Sequence, residues 1–237
     1  MNEILLQMRD VRSGYQDIEV LKGISLDILN SKITCMIGPN GSGKSTVLKT
    51  IYGILKARTG EILLEGERID RQSPLEILKR GISYVPQGRA IFPLMTVEEN
   101  LQMGAFTRKD NRITQDIADL IEKFPILGER RNILAGNLSG GEAQILTIAM
   151  GLLLLPKLLL LDEPSMGLSP LSVGLIFRII KEINEMGKTI LMVEQNARRA
   201  LEISHHAFVL ELGKMRFDGT GEEILNNTEL KKVYLGG

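Results

Sequence analysis

The sequence is poor in cysteine, carries no net charge and has no apolar run long enough to cross a bilayer, and each shortage excludes a class of protein. The one cysteine, Cys35, sits in an apolar stretch. That excludes disulfide-stapled and zinc-ribbon scaffolds and fits a reducing compartment. The 29 Lys and Arg are balanced by 29 Asp and Glu, which removes the electrostatic footprint of a protein that lives on nucleic acid. The longest nearly apolar run, Ile145 to Leu155, stops at Pro156, short of the roughly 20 residues a membrane span needs. The start, MNEILLQMRD, has neither the basic region nor the apolar run of a secretory leader. Any membrane role is therefore expected to come through a partner. No repeat, low-complexity tract or Gly/Ser linker interrupts the 237 residues. That length is long for one typical domain and short for two, so one domain with an inserted lobe is expected.

Short β-branched or leucine-rich runs alternate with helical stretches: ITCMIG at 33–38, EILLE at 61–65, GISYV at 81–85, LLLLD at 158–162 and TILMV at 189–193. The alternation predicts βα units around a largely parallel sheet. No helical pattern follows the first two strands, near Ile4 to Val11 and Gly23 to Ile28, so these predict an antiparallel β portion, which EILLEGERI at 61–69 joins. From about Val97 to Leu155 no strand pattern occurs, while Ile113, Ile117, Leu120, Ile121 and Phe124 recur at helical spacing. The chain is accordingly divided into a core, 1–86 and 157–237, and an inserted helical lobe, 87–156. The methionines and leucines of that lobe (Met95, Met103, Met150, Leu152 to Leu155) are read as its core.

Residues Gly38, Pro39, Asn40, Gly41, Ser42, Gly43, Lys44, Ser45 and Thr46 spell GPNGSGKST, a phosphate-binding loop pattern with an apolar strand before it and a helical stretch, STVLKTIYGI, after it. Glycines let backbone amides turn inward around phosphate oxygens, and the helix N-terminus adds its dipole. Lys44 reaches the terminal phosphates, and Ser45 is a candidate magnesium ligand. LLLLDEP at 158–164 reads as a strand buried on both faces that ends in two carboxylates where open α/β sheets place their ligands. Asp162 is the candidate to hold magnesium, Glu163 the candidate general base for the attacking water, and Gln87 a candidate bridge between metal and water. LSGGE at 138–142 opens a helix. Ser139 and Glu142 have the spacing of a capping box, whereas Gly140 and Gly141 cost helix propensity of about 1 kcal/mol each and leave amides free to approach an anion. Both readings stand on the residues alone.

With these pieces in this order, nearly the whole chain resembles the nucleotide-binding subunit of ATP-binding cassette (ABC) transporters. The resemblance implies a P-loop NTPase fold of the ABC ATPase type, α/β, with a largely parallel sheet, an antiparallel β portion and a helical lobe. It implies that Tyr15 stacks on adenine, that GPNGSGKST is the Walker A loop, Gln87 the Q-loop, LSGGE the family signature, LLLLDEP the Walker B strand and SMGLSP at 165–170 the D-loop. It also implies that LSGGE contacts the γ-phosphate of ATP held by the other subunit of a head-to-tail dimer, and that GRAIFPLMTVEENL after Gln87 touches polytopic permease subunits. ATP and Mg2+ are the implied cofactors, and the cytoplasmic face of the membrane is the implied location. One position departs from the family pattern: VEQN places Gln195 where most members carry a switch histidine. His205 and His206, further on, are read as structural or surface residues. VPQGRAIFPLMTVEENL, LSGGEAQ, DEPSMGLSP, VEQNA and the ending VYLGG resemble ATPase subunits of branched-chain amino-acid importers, with urea and short-chain amide importers similar. Such importers imply a homodimer or a heterodimer with a second ABC ATPase, and indirectly a substrate-binding protein. The alternative is a single-cassette cytosolic ABC ATPase acting as an assembly factor. The span from Ser45 to Leu138 is too short for the coiled coil of chromosome-maintenance relatives.

Overall fold

The computed structural model describes residues 3–234; the first two residues of the N-terminal stretch and the last three of VYLGG lie outside that range. Strands β1 (Ile4–Tyr15) and β2 (Ile18–Leu29) form an antiparallel hairpin. They run further toward their shared turn than the hydrophobic alternation predicts, because register shifts between Met8 and Gly14 let polar residues continue the ladder. Strand β3 (Ile33–Ile37) leads into helix α1 (Lys44–Ile51), and β4 (Thr59–Leu64) and β5 (Glu67–Arg68) return to the hairpin. The first sheet is therefore antiparallel, in the order β2-β1-β4-β5.

Helix α2 (Pro74–Lys79) carries a Ser73–Glu76 capping box and precedes β6 (Ile82–Val85). Four helices follow without a strand: α3 (Val97–Gly104), α4 (Ile113–Lys123), α5 (Pro125–Glu129) and α6 (Gly140–Leu152). The chain then alternates β7 (Leu158–Asp162), α7 (Pro170–Glu185), β8 (Thr189–Val193), α8 (Ala197–Ile203) and β9 (His206–Glu211), and closes with β10 (Lys214–Gly219), α9 (Gly221–Asn226) and α10 (Thr228–Tyr234). The second sheet has the order β10-β9-β3-β8-β7-β6, in which every pair is parallel except β10 with β9. Strands β3, β7 and β8 are buried at every residue, as expected of strands covered on both faces.

The two faces of this sheet belong to two apolar clusters. One packs Met36, Leu158, Leu160, Leu191 and Val193 against α1 and the antiparallel sheet; the other packs Cys35, Leu159, Leu161, Ile190 and Met192 against α6, α7 and α8. Alternate residues of one strand face opposite clusters, which is the period-2 consequence of the pleat. Helix α6 has almost no polar face because it lies between the sheet and the neighbouring helices α3 and α7, and ten of its residues are buried. Leu152 and Leu153 belong to the core as expected, but Met103, Met150 and Leu154 line a groove of about 350 Å³ with Tyr84, Phe92 and Phe106. Met103 and Leu154 are groove residues, Met150 lines the groove while also packing against the core, and Leu155, which lies beyond the end of α6, is 53% exposed and not core.

His205 and His206 have structural partners. The His205 Nδ1 accepts the Ile33 backbone N–H at 3.2 Å, and His206 Nε2 pairs with Asp218 at 2.5 Å. Cys35 is fully buried, and burial pushes its thiol far up from the ordinary range, with the charge of Glu194 acting in the same direction. The folded chain is therefore expected to leave Cys35 unmodified by an aromatic disulfide reagent at pH 8, with one thiol per chain reacting once denaturant is added. Rapid reaction of the native chain would contradict this burial.

Candidate functional site

The loop between β3 and α1 is shaped by backbone that only glycine tolerates at two points. Gly43 has φ 106 where the chain turns into the helix, a region that L side chains avoid. A Cβ on Gly38 would stand 2.0 Å from the carbonyl oxygen of Leu210 on β9, so a side chain there would displace the strand. Within this loop Lys44 Nζ donates to the carbonyl oxygens of Gly38 at 2.8 Å and Pro39 at 3.1 Å. Lys44 is 4% exposed, and burial lowers its pKa while the carboxylates of Glu163 and Asp162 oppose that. The Ser42 hydroxyl is buried and has no hydrogen-bond partner, an arrangement that suits an oxygen-rich ligand drawn into the loop.

Strand β7 delivers its two carboxylates to the same place. Asp162 is 2% exposed, and both of its oxygens are satisfied: Oδ1 accepts from Ser45 Oγ at 2.7 Å and Oδ2 from Tyr84 Oη at 2.8 Å. Burial, helped by the Asp162 charge, pushes the Tyr84 phenol well above its usual range, so it stays a donor. Glu163 is half-buried and adopts a left-handed backbone, φ 49, which costs a non-glycine residue about 1–2 kcal/mol. Its Oε2 accepts from Gln87 Nε2 at 3.1 Å, and the same amide lies 2.9 Å from Met166 Sδ.

These groups line one cleft of about 410 Å³, formed by Tyr15, Val20, Asn40, Gly41, Gly43, Lys44, Ser45, Thr46, Gln87, Glu163, Met166 and Gln195. Gly38, Pro39 and Ser42 shape the loop from behind, and Asp162 lies beneath Ser45. Tyr15 stands at the rim because the β1–β2 hairpin carries it there; it is 43% exposed, with Lys49 Nζ 5.9 Å from the ring centroid. Gln195 reaches the cleft from the end of β8. Among the described residues, no group of three or more His, Cys, Asp or Glu is arranged to hold a metal. Ser45 and Asp162 together offer two hard oxygens, which suits a magnesium ion completed by phosphate and water.

Ser139, Gly140 and Gly141 do not line this cleft. They form the first turn of α6, where Ser139 N donates to Glu142 Oε2 at 2.7 Å and Ser139 Oγ accepts from Glu142 N at 3.3 Å. The capping box of the sequence reading is thus formed. A Cβ on Gly140 would meet Arg89 Nη2 at 2.6 Å and Leu168 at 3.3 Å, so the segment after Gln87 and the turn after Glu163 both press on this helix start. Sequence reasoning gave Val20, Tyr84 and Glu194 no site role and named Met166 only within SMGLSP. For Glu194 a signal existed, since it follows the apolar run TILMV as Asp162 ends LLLLD. Tyr84 gave none, because its partner is 78 residues away.

Comparison with known proteins adds four likenesses. Residues 21–166 match the family model described as ABC transporter. The chain is 42% identical to the high-affinity branched-chain amino acid transport ATP-binding protein BraG of Pseudomonas aeruginosa, over 98% of this chain and 100% of that one. It is 40% identical to the probable branched-chain amino acid transport ATP-binding protein LivF of Archaeoglobus fulgidus, over 98% and 99%. The crystal structure of the ADP conformation of MJ1267, an ATP-binding cassette of an ABC transporter, superposes with a TM-score of 0.88 at 28% identity, covering 99% of this chain and 100% of that one.

The Asp162 contacts generate a stability prediction. Tyr84→Phe leaves Oδ2 of a buried carboxylate without its donor and is expected to cost about 1–3 kcal/mol in urea unfolding; an unchanged midpoint would mean that water replaces the phenol.

Proposed function

This chain belongs to the ABC transporter family of ATP-binding cassettes, an ATPase coupled to transport that works with membrane permease components, and on that premise we propose that it energises an importer of branched-chain amino acids or a related small amide or urea. The observation that carries the reading is the convergence of Lys44, Ser45, Gln87, Glu163 and Gln195 on one cleft beside the buried Asp162. The names of the two curated relatives support the substrate class. No helix among the described residues is long and apolar enough to cross a membrane, so the attachment is proposed to be peripheral, at the cytoplasmic face.

In this reading Tyr15 stacks on the adenine while the amides of Gly38 to Thr46 and the Lys44 ammonium bind the β- and γ-phosphates. Lys44 exchanges its two loop carbonyls for phosphate oxygens. Ser45 and Asp162 hold magnesium, with Gln87 beside them; the ion, when bound, supplies charge neutralisation on the phosphates. Glu163 accepts a proton from the water whose oxygen bonds to the γ-phosphorus, while the bond to the β–γ bridging oxygen breaks and leaves on ADP. Gln195 donates a hydrogen bond to the γ-phosphate. As a neutral amide it does not titrate near neutral pH, so this step needs no charged histidine. Ser139, Gly140 and Gly141, which do not line the cleft of their own chain, are assigned to the phosphate of a second ABC ATPase in a head-to-tail homodimer or heterodimer. The division into a core, 1–86 and 157–237, and a lobe, 87–156, belongs to the same proposal. The permease subunits are proposed to seat on the groove of about 350 Å³ beside GRAIFPLMTVEENL, where Phe92 and Phe106 are exposed. A substrate-binding protein acts indirectly through that permease.

Two variants test the site. Glu163→Gln is expected to bind ATP with unchanged affinity and to lose about 100-fold or more in turnover; vigorous steady-state hydrolysis would remove Glu163 as the base. Lys44→Ala is expected to lose ATP binding in a direct titration, and unchanged affinity would refute the cradle. The transport assignment is tested by recovering tagged Glu163→Gln from solubilised native membranes with magnesium and ATP. Two polytopic subunits and a second cassette ATPase are expected; soluble assembly factors alone would overturn the transporter reading.

A further inference from the structure

Glu194 is the first residue after β8, is 1% exposed, and has no part in the chemistry described above. A carboxylate buried that far must find donors, and the structure gives it two backbone amides on different loops. Oε1 accepts from Ser165 N at 2.8 Å, and Oε2 accepts from Asn196 N at 3.1 Å. Ser165 lies two residues beyond Glu163, and Asn196 directly follows Gln195. Burial pushes the Glu194 carboxyl up, the Ser165 side chain and the two amides oppose that, and the charge of Glu163 adds to the upward push.

The turn on the Ser165 side is the strained one. Glu163 holds its left-handed backbone with Met166 N donating to Glu163 O at 3.1 Å, which closes a tight turn. Backbone of that kind persists where its surroundings over-determine it. Here the surroundings are two bonds to the end of β8 and the residue after it: Glu163 N donates to Val193 O at 2.9 Å, and Ser165 N donates to the Glu194 carboxylate. The carboxylate's second oxygen fixes the start of the Gln195 loop, which Ala197 N closes onto Gln195 O at 2.8 Å.

We infer that Glu194 is a positioning residue that ties the turn carrying Glu163 to the loop carrying Gln195, so that base and γ-phosphate donor are set as one unit. A carboxylate is required because both partners are donors. An amide has one accepting atom, and its NH2 group would face an N–H. The inference rests on Glu163 being the base, as proposed above.

The test compares the full chain with Glu194→Gln and Glu194→Ala in steady-state ATP hydrolysis, direct nucleotide titration and thermal unfolding. Glu194→Gln is nearly isosteric and keeps one of the two bonds. It is expected to lower kcat about tenfold or more while KM and nucleotide affinity stay within about twofold and the melting temperature holds within a few degrees. Glu194→Ala is expected to lower kcat further. An unchanged kcat for Glu194→Gln overturns the inference. So does a raised KM at constant kcat, or a melting temperature that collapses together with nucleotide binding, since either assigns a binding or purely structural role. The two readings fail separately: Glu163→Gln that turns over freely removes the base assignment, whereas an inactive Glu163→Gln beside a fully active Glu194→Gln removes the clamp alone.

Discussion

The carboxylate of Asp162 is the constraint on which the site depends. A charge taken out of water at the end of a fully buried strand is tolerated only where hydrogen bonds replace its hydration. Ser45 and Tyr84 provide them, from the first turn of α1 and from β6. One ion thereby fixes three elements: the phosphate loop's helix, the strand before Gln87, and the strand that carries Glu163. Because Tyr84 and Ser45 are hydroxyls and not cations, neither forms an ion pair with the carboxylate, which keeps the oxygens of Ser45 and Asp162 useful toward a divalent cation.

A second carboxylate performs the complementary task on the neighbouring strand. Strands β7 and β8 are adjacent and parallel, with Asp162 paired to Val193 in register, so the residues that follow each strand emerge side by side. Glu163 and Gln195 face the same cleft for that reason. Parallel pairing at the carboxyl end of the sheet is what brings a candidate base and a candidate phosphate donor together without any loop reaching across the molecule. The first turn of α6 packs against Arg89 and Leu168, and Ser139 to Gly141 do not line the cleft of their own chain.

Much of this was legible in the residues. A strand buried on both faces must be apolar along its whole length, and LLLLD and TILMV say so directly. The phosphate loop was legible because its glycines and Lys44 have few structural reasons to occur together between a strand and a helix. The antiparallel hairpin was legible in kind but not in extent: Arg12, Ser13 and Gly14 continue the strand through irregular pairing, and polar residues on an irregular ladder carry no alternation to read. The methionines of α3 and α6 misled for a different reason. Apolar residues at helical spacing announce burial against something, and nothing local tells a neighbouring helix from the wall of a groove.

The sequence by itself determined the alternating architecture, the glycine-rich loop between β3 and α1 and the acidic end of β7, because each is written in neighbouring residues whose spacing dictates backbone form. Tertiary structure alone decided which strands became neighbours, and with that the bonds from Tyr84 and Ser45 to Asp162, from Gln87 to Glu163, and from Glu194 to two separate loops. Most of these contacts join residues tens of positions apart in the chain. Only the closure of the sheet brings them within hydrogen-bonding distance, and no local pattern encodes a partner that far away.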